Sequence, residues 1–368
     1  MKITRGQMTA LCAIALLSPA LRLYPSFSAG TAGRAAWLSA LLALPLLTVY
    51  AFFLCRLPCG LCELAEQGLG RRFGRAAELL LGLWLILEAG FTLRTGAERM
   101  ILALFPSAPP GLFVVCMGFL GLIAALGSLR SLLRMARMVL PLVLLSLAPV
   151  LLFALRGIDW GELWPLAPGD LPGAVRGMYP VVDVLSFGLY LPWLLLPRGL
   201  PPGNRLRDWL LWLGGMSLLL LDLCVSVLGR FGPELTARLS LPFFTLVRNL
   251  VFFRTLERLE ALVVALWIFP DFLMTSALLY GAQRCLRRSL GLGESLSLPK
   301  RTDWTGGRWL IPVCSLAAVG LGLILGPDQT SLEIWSQRII PVCNLAVAFG
   351  LVPIIYIVGI RRKKQRAP

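Results

Sequence analysis

Apolar segments, each bordered by proline, glycine or charged residues, recur ten times along this chain. Their length of about 20 residues is what an α-helix needs to cross the hydrocarbon core of a bilayer. The sequence therefore predicts an all-α polytopic membrane protein in which residues 1–368 form a single membrane domain. The predicted spans are Gln7–Ala29, Ala35–Cys55, Ala76–Met100, Leu112–Leu129, Met138–Leu155, Tyr179–Leu196, Trp209–Gly229, Thr255–Cys285, Trp309–Gly326 and Ile339–Ile360.

Composition excludes several other classes of protein. The chain is 57% apolar and only 15% charged, with a mean hydropathy of +0.79, which is too apolar for a water-soluble core. It has no histidine, which excludes Ser–His–Asp triads, histidine-ligated zinc and histidine proton shuttles, and we expect no enzyme activity, metal or cofactor. The net charge is +16, and the basic residues lie between apolar segments rather than on a soluble face. We therefore expect contact with a lipid bilayer and none with nucleic acid.

The distribution of basic residues predicts the orientation of the spans. Most of the 35 basic residues fall on the cytoplasmic side if the N-terminus is cytoplasmic, as the positive-inside rule requires. An even number of spans then places both termini in the cytoplasm, where the tail Arg361–Arg366 acts as a stop signal attracted to anionic lipid. The alternative is that the first span is a signal peptide cleaved near Pro25–Ala29. Cleavage would leave nine spans, and their parity would oppose the charge distribution.

Two spans contain interruptions where a continuous helix is expected. The first has Ser18-Pro19 followed by Pro25, and the sixth has Gly188 followed by Pro192. They lie five spans apart, and paired broken helices at matching places indicate an inverted-repeat transporter with its binding site at the breaks. Unwound backbone is tolerated at membrane depth only where it lines a cavity or holds a ligand. The alternative is that each proline merely kinks its helix.

Charged side chains inside the spans are the second sign of a functional site. Each ionised group in the bilayer calls for a partner or a water-filled path. Glu88 and Thr92 share one helical face of the third span, and Glu260, Trp267 and Asp271 share one face of the eighth. The deeper charges, for which we expect a functional role, are Arg22, Glu88, Glu260 and Asp271. The charges near an interface, which we expect to be structural, are Glu98, Arg99, Glu257 and Arg258.

Three cysteines, Cys55, Cys59 and Cys62, form a C-x3-C-x2-C cluster at the end of the second span. The chain has no second cysteine group and no histidine to complete a metal site. Packing against lipid or palmitoylation is the favoured interpretation.

A series of short motifs occurs in order along nearly the whole chain. The motifs are Ile3-Thr4-x-x-Gln7, Ala36-Trp37-Leu38-Ser39, Leu93-Arg94 followed by Glu98, Pro106-x-x-Pro109, Asp159-Trp160-x-x-Leu163-x-Pro165-Leu166, and Arg258-Leu259-Glu260-Ala261-Leu262 followed by Trp267-Ile268. Together they resemble the spore germination permease family, the B subunit (GerAB type) of germinant receptors. That family lies within the amino acid–polyamine–organocation superfamily.

The resemblance implies a fold and an assembly. The fold would be that of the bacterial leucine transporter, with two inverted five-helix repeats at about residues 7–155 and 179–360. A small germinant, typically an amino acid, would bind among helices one, three, six and eight. The chain would act with an A-type membrane subunit and a C-type lipoprotein in the inner membrane of the spore. The segment Arg230–Arg254, with Phe243 and Phe244, is either a docking surface for these subunits or an amphipathic loop.

The predicted ligand site combines the interruptions with the buried charges. Ser18 and Gly188 would offer backbone groups, Phe187 and Trp267 would form walls, and Arg22 would hold a carboxylate. The other predicted ligand-binding residues are Glu88, Thr92, Glu260 and Asp271, and the oxygens of Thr275 and Ser276, facing the first helix, are candidates for binding a cation. Alternatively, Arg22 forms a structural salt bridge with Glu88 or Asp183.

The chain departs from the family pattern at both interruptions. Leu17 stands where relatives usually have a glycine, and Leu189 stands where they often have an acidic residue. These departures indicate an altered ligand or a subunit that no longer binds one. The alternative function is an H⁺- or Na⁺-coupled secondary transporter of amino acids. A membrane-embedded transferase is less favoured, because the loops carry no nucleophile or paired acidic motif.

Overall fold

The computed structural model describes residues 3–197, 199, 205–249, 259–292 and 307–366, and it describes no side chains at positions 23, 103, 259–265 and 360–366. Within these ranges the chain is helical and has no strand. The α-helices are α1 (Arg5–Ala32), α2 (Leu38–Cys55), α3 (Leu61–Ala103), α4 (Pro110–Ala125), α5 (Leu129–Ala154), α6 (Leu171–Gly177), α7 (Tyr179–Leu195), α8 (Arg205–Arg238), α9 (Pro242–Asn249), α10 (Leu259–Ser289), α11 (Leu310–Ile324), α12 (Gln329–Ile334), α13 (Ile340–Leu345) and α14 (Val352–Arg366).

The helices correspond to the predicted spans, with differences at the ends. Six helical segments of the described residues are long and apolar enough to cross a membrane, and α4 and α11 are shorter apolar helices. Large apolar side chains cover the outside of the bundle; Leu145, Leu316 and Ile324, for example, are each more than 70% exposed. In water such a surface would aggregate, whereas in a bilayer it meets lipid tails. The chain is an integral multi-pass membrane protein.

The long helix α3 packs against α4, α10, α11 and α14. Its backbone is non-helical at Gly70, where φ is 81° and ψ is 175°, so two helical segments join there. Glycine permits the closest approaches. A Cβ at Gly90 would lie 2.7 Å from Leu321 Cβ on α11, and one at Gly68 would lie 2.6 Å from the backbone of Gly359 on α14. Small residues let membrane helices approach until their backbones nearly touch, which maximises van der Waals contact.

The interruptions expected in the first and sixth spans are wrong, because α1 and α7 are continuous helices. α1 contains Pro19 and Pro25, and α7 contains Pro192. A proline removes one intrahelical hydrogen bond, but a membrane helix tolerates this loss when neighbouring helices cover the freed carbonyl. The alternative interpretation, in which proline acts within an unbroken helix, describes both spans.

The helix of the tenth predicted span changes type twice. Between α12 and α13 the residues Trp335–Ile339 form a π-helical turn, and between α13 and α14 the residues Ala346–Leu351 form another. Such turns insert an extra residue into the helix and re-aim the side chains beyond it. Here they set the direction of Asn344, which lies on α13 and is buried against α7.

Candidate functional site

Two buried ion pairs link α3 to α1 and to α10. Arg22 Nη2 on α1 lies 3.1 Å from Glu98 Oε2 on α3, and Arg99 Nη2 on α3 lies 2.5 Å from Asp271 Oδ1 on α10. Glu98 and Arg99 are neighbours in sequence, so their side chains leave the helix about 100° apart and reach different partners. All four side chains are less than 10% exposed. The pairs therefore hold three helices together inside the bundle.

Other groups complete this charged cluster, which we define as Arg22, Arg94, Glu98, Arg99 and Asp271. Arg94 Nε donates a hydrogen bond to the Gly326 carbonyl, at 3.0 Å, and its charge acts on Arg22. The Arg22 guanidinium also lies 5.8 Å from the centre of the Phe91 ring, within the range of a cation–π contact. Three positive and two negative groups meet here in a low-dielectric interior. The charged cluster carries one net positive charge.

The charged cluster has hydrogen-bonding capacity that the protein does not use. Glu98 Oε1, Asp271 Oδ2 and Arg99 Nε are buried and have no hydrogen-bond partner among the described residues. Buried polar atoms in proteins almost always have a partner, which is otherwise an ordered water, an ion or a ligand. An additional polar group that both donates and accepts hydrogen bonds would satisfy these atoms.

An aromatic cap lies about one helical turn from Asp271. Trp267 of α10 is buried, and its ring centre lies 5.2 Å from that of Phe243 and 5.7 Å from that of Phe244, both on α9. α9 also contacts α1. Because Phe243 and Phe244 are buried in this cap, they do not form the exposed docking surface that was one interpretation of the segment.

A second buried polar group lies between α3, α7 and α13. Trp84 Nε1 donates to the Tyr190 hydroxyl at 3.0 Å, and that hydroxyl donates to Asn344 Oδ1 at 2.7 Å. Asn344 Nδ2 donates to both the backbone carbonyl and Oδ1 of Asp183, each at 2.7 Å. Glu88, one helical turn beyond Trp84, is buried and interacts with Asp183. We name these five residues the acidic network.

The helices of the first and sixth predicted spans, α1 and α7, contact each other as expected, but the side chains between them are closely packed. Ser18, Phe187 and Gly188 are buried where α1 meets α7. A Cβ at Gly188 would lie 2.2 Å from Leu16 Cδ1 and 2.8 Å from a ring carbon of Trp212. The glycine therefore serves close packing in this conformation, and Ser18 Oγ is left without a hydrogen-bond partner among the described residues.

Thr275 and Ser276 are both buried on α10. The methyl group of Thr275 lies toward α4, since a Cβ at Gly121 would lie 2.9 Å from Thr275 Cγ2. The Thr275 hydroxyl has no hydrogen-bond partner among the described residues, and the Ser276 hydroxyl donates to the Phe272 carbonyl of its own helix at 2.7 Å. Their role as a cation site stays a prediction.

Of the remaining predicted site residues, Thr92 is buried on α3, and the side chain of Glu260 lies outside the described residues, as do Glu257 and Arg258. The expected salt bridge of Arg22 with Glu88 or Asp183 is wrong, because Arg22 pairs with Glu98. Spacing placed Glu98 and Arg99 near an interface, and it did not identify them as the partners of Arg22 and Asp271. The sequence analysis did not identify Asn344 as a candidate site residue.

Within the described residues, no group of three or more Cys, Asp or Glu side chains is arranged to hold a metal ion. A bundle of this kind around buried ionic groups defines a membrane protein of the transporter fold. The chain is similar to a Na⁺-coupled sialic acid symporter, solved in a substrate-bound outward-open state, over 99% of this chain and 90% of that chain. The TM-score is 0.58 at 13% sequence identity, so the likeness shows the fold alone.

This likeness confirms the predicted architecture of ten spans in two inverted five-helix repeats, while the repeat boundaries stay a prediction. The family model described as spore germination protein matches residues 2–298, and the chain belongs to that family. The family resemblance seen in the motifs is thus confirmed. No curated protein matches the chain.

Proposed function

We propose that this spore germination permease is the B subunit of a germinant receptor and that it binds a small zwitterion, such as an amino acid, at the charged cluster. The observation that carries this proposal is the unused hydrogen-bonding capacity of Glu98, Arg99 and Asp271, buried between two ion pairs. A zwitterion supplies both an acceptor for arginine and a donor for carboxylates, so it matches both kinds of unsatisfied atom.

The chemistry of the charged cluster assigns the two ends of the ligand. The ligand carboxylate would pair with Arg22 or Arg99, since guanidinium binds carboxylate in a bidentate manner. The ligand ammonium would bind Asp271 or Glu98. Trp267 in the aromatic cap would exclude water above the ligand, which strengthens each of these contacts.

The other predicted residues act where α1 and α7 meet. If the ligand is to reach Ser18, Phe187 and Gly188, α1 and α7 must separate from the packed state described above. Glu88, Thr92 and Glu260 lie on the neighbouring helices and remain proposed contacts of the opened site. Their role is part of the same proposal.

Signalling follows from a shift between conformations. The ligand would stabilise one of two arrangements of the bundle, and a tenfold change in their ratio requires only about 1.4 kcal/mol of differential binding. We propose that the A-type and C-type subunits read this change in the inner membrane of the spore, with both termini of this chain in the cytoplasm. This orientation rests on the distribution of basic residues.

A matched pair of variants tests the ligand site. Arg22→Leu leaves Glu98 buried without its partner, so Arg22→Gln combined with Glu98→Gln is used, because it removes both charges and leaves neither unpaired. In purified full-length protein, screened by thermal shift against the common amino acids, we expect the double variant to bind any active amino acid at least about tenfold more weakly. Arg176→Gln, at an exposed arginine, is the control. Equal affinity of the double variant and the wild type would exclude the charged cluster.

The transporter fold and the buried carboxylates keep an H⁺- or Na⁺-coupled amino acid transporter as the second candidate. Proteoliposomes that contain this chain alone separate the two functions. A sensor subunit binds the amino acid and gives little uptake of label, with or without an ion gradient. Uptake driven by a Na⁺ or H⁺ gradient would replace the receptor proposal with transport.

A further inference from the structure

Glu88 on α3 and Asp183 on α7 are two buried carboxylates. Glu88 is 8% exposed and Asp183 is 4% exposed, and the two groups interact electrostatically. Glu88 Oε2 is buried and has no hydrogen-bond partner among the described residues. Two like charges at this depth repel each other and have lost the water that would screen them. The two ionised carboxylates are stable at this depth only if a positive charge lies between them.

Within the part of the chain that the structure describes, neither carboxylate of this pair forms an ion pair with an arginine or a lysine. Asn344 uses both of its amide hydrogens on Asp183, and its own oxygen accepts from Tyr190. The other described groups that interact electrostatically with Glu88 or Asp183 carry no positive charge; they are Tyr179, Tyr190 and Cys343. Arg22 and Arg99 of the charged cluster pair with Glu98 and Asp271 instead.

Distance separates this place from the charged cluster. Glu88 and Glu98 are ten residues apart on α3, which corresponds to about 15 Å along a helix. An amino acid that pairs with Arg22 and Asp271 therefore does not also bridge Glu88 and Asp183 while the helices stay packed. The acidic network needs an occupant of its own.

We propose that Glu88 and Asp183 form a binding site for one monovalent cation, which is either a proton shared by the carboxylates or a sodium ion. The Glu88 oxygen without a partner is the open position of the site. The orientation of the Asp183 carboxylate is fixed by hydrogen bonds from Asn344, which in turn accepts a hydrogen bond from Tyr190. Asn344 lies between two π-helical turns, so an occupant that pulls on this contact acts directly on the irregular tenth span. This inference does not depend on a germinant.

Thermal unfolding of the purified full-length protein in detergent tests the site and distinguishes the two cations. One series replaces choline chloride by NaCl at constant ionic strength and pH. The other varies pH between about 5 and 8 in choline chloride, a range in which a carboxylate with an ordinary pKa stays ionised over most of the interval. The variants are Glu88→Gln and Asp183→Asn. The control is Glu66→Gln, a carboxylate on α3 that pairs with Arg288 at 2.5 Å.

The two cations give different responses. A sodium site gives a melting temperature that rises with Na⁺ in the wild type and in Glu66→Gln, with an apparent Kd at least about tenfold weaker in Glu88→Gln and Asp183→Asn. A proton site gives no Na⁺ response, and its melting temperature rises as the pH falls, because the folded state binds the proton more tightly than the unfolded chain. That slope is smaller in Glu88→Gln and Asp183→Asn than in the wild type and in Glu66→Gln.

A wild type that responds to neither cation, or variants that respond as the wild type does, would overturn the proposal. Infrared spectroscopy of the wild type guards against variants that do not fold. A band of a protonated, buried carboxylic acid at neutral pH is expected for the proton site, and ionised carboxylates that shift on adding Na⁺ are expected for the sodium site. The absence of both features also overturns the proposal. Amino acid binding is measured separately, so failure here leaves the germinant proposal untouched.

Discussion

At the scale of single residues, Gly188 sets the distance between α1 and α7. Its missing side chain leaves room for Leu16 on one side and Trp212 on the other. Gly188 lies in a continuous helix, so its role is to leave space for neighbouring side chains rather than to permit an unusual backbone conformation. Both neighbours are buried apolar side chains, which leaves them little room to move.

We expect Gly188→Ala to destabilise the protein by about 1–3 kcal/mol, as overpacking of a close contact does. Its Cβ would lie 2.2 Å from Leu16 Cδ1. The matched control is Gly214→Ala on α8, where a Cβ meets nothing within 4 Å. There we expect no loss, since alanine favours a helix more than glycine does. Denaturation by SDS in detergent micelles measures both, and the Leu16→Ala/Gly188→Ala double variant should be less destabilised than the sum of its two single variants. Equal stability of the two alanine variants would contradict this account of the contact.

Residue identities predicted which charges are buried but not which of them pair. Arg22 and Asp271 were identified because ionisable groups in apolar spans are rare and need partners. Helical spacing gives the face of one helix and says nothing about the rotation of its neighbour, so Glu98 was missed as the partner of Arg22. Asn344 was missed because the direction of its side chain depends on π-helical turns, which cannot be recognised in an apolar sequence.

At the scale of elements, the start of α3 and the end of α10 are joined by a dense ionic contact. Arg288 lies 3.2 Å from Glu63, 2.5 Å from Glu66 and 3.0 Å from Glu78 through different nitrogens of one guanidinium. Arg284 also pairs with Glu63. Glu63 and Glu78 are almost fully buried, so their charges depend on these arginines.

Replacing Arg288 with glutamine should destabilise the protein by about 3–5 kcal/mol, because it leaves the buried carboxylate of Glu78 without its arginine. The neighbouring Arg287 bonds only weakly to the Leu292 carbonyl, at 3.4 Å, and Arg287→Gln is the control, with an expected change below about 0.5 kcal/mol. Denaturation in detergent again provides the measurement. If the Arg288 variant is no less stable than the Arg287 variant, the ionic contact does not hold α3 to α10.

The same contact explains why sequence reasoning predicted the existence of the third span better than its beginning. The predicted span begins at Ala76, because the charged residues before it are atypical of a membrane segment, yet helical structure begins at Leu61 and is broken at Gly70. Glu63, in the added segment, is buried against Arg284 and Arg288 of α10, which makes that extension possible. Cys62 is likewise turned to Cys285 on α10, with 3.4 Å between the sulfurs, rather than toward the other cysteines of its cluster.

At the scale of the whole molecule, contacts of unequal strength hold the beginning and the later part of α1 against neighbouring helices. Near its start, Arg5 lies 2.6 Å from Asp208 of α8, with both side chains about one third exposed. A cavity of about 700 Å³, lined in part by Thr9, Ala13 and Trp212, lies beside this pair. Further along the same helix, Arg22 is buried in the charged cluster near the aromatic cap. The bundle should therefore open more readily at the Arg5 end.

Hydrogen–deuterium exchange of the purified protein, followed by mass spectrometry, tests this difference and its size. We expect residues 5–13 to exchange faster than α9 and the adjacent part of α10. An exposed ion pair stabilises by at most about 1 kcal/mol, so Asp208→Asn should raise the exchange of residues 5–13 by no more than about fivefold. Asp222→Asn is the control, because Asp222 lies on the same helix and makes no ion pair with any described residue. Faster exchange in α9 than in residues 5–13 would reverse the order of opening. A rise far above fivefold would mean that the pair, rather than the packing of Met8 and Leu11, holds the start of α1 in place.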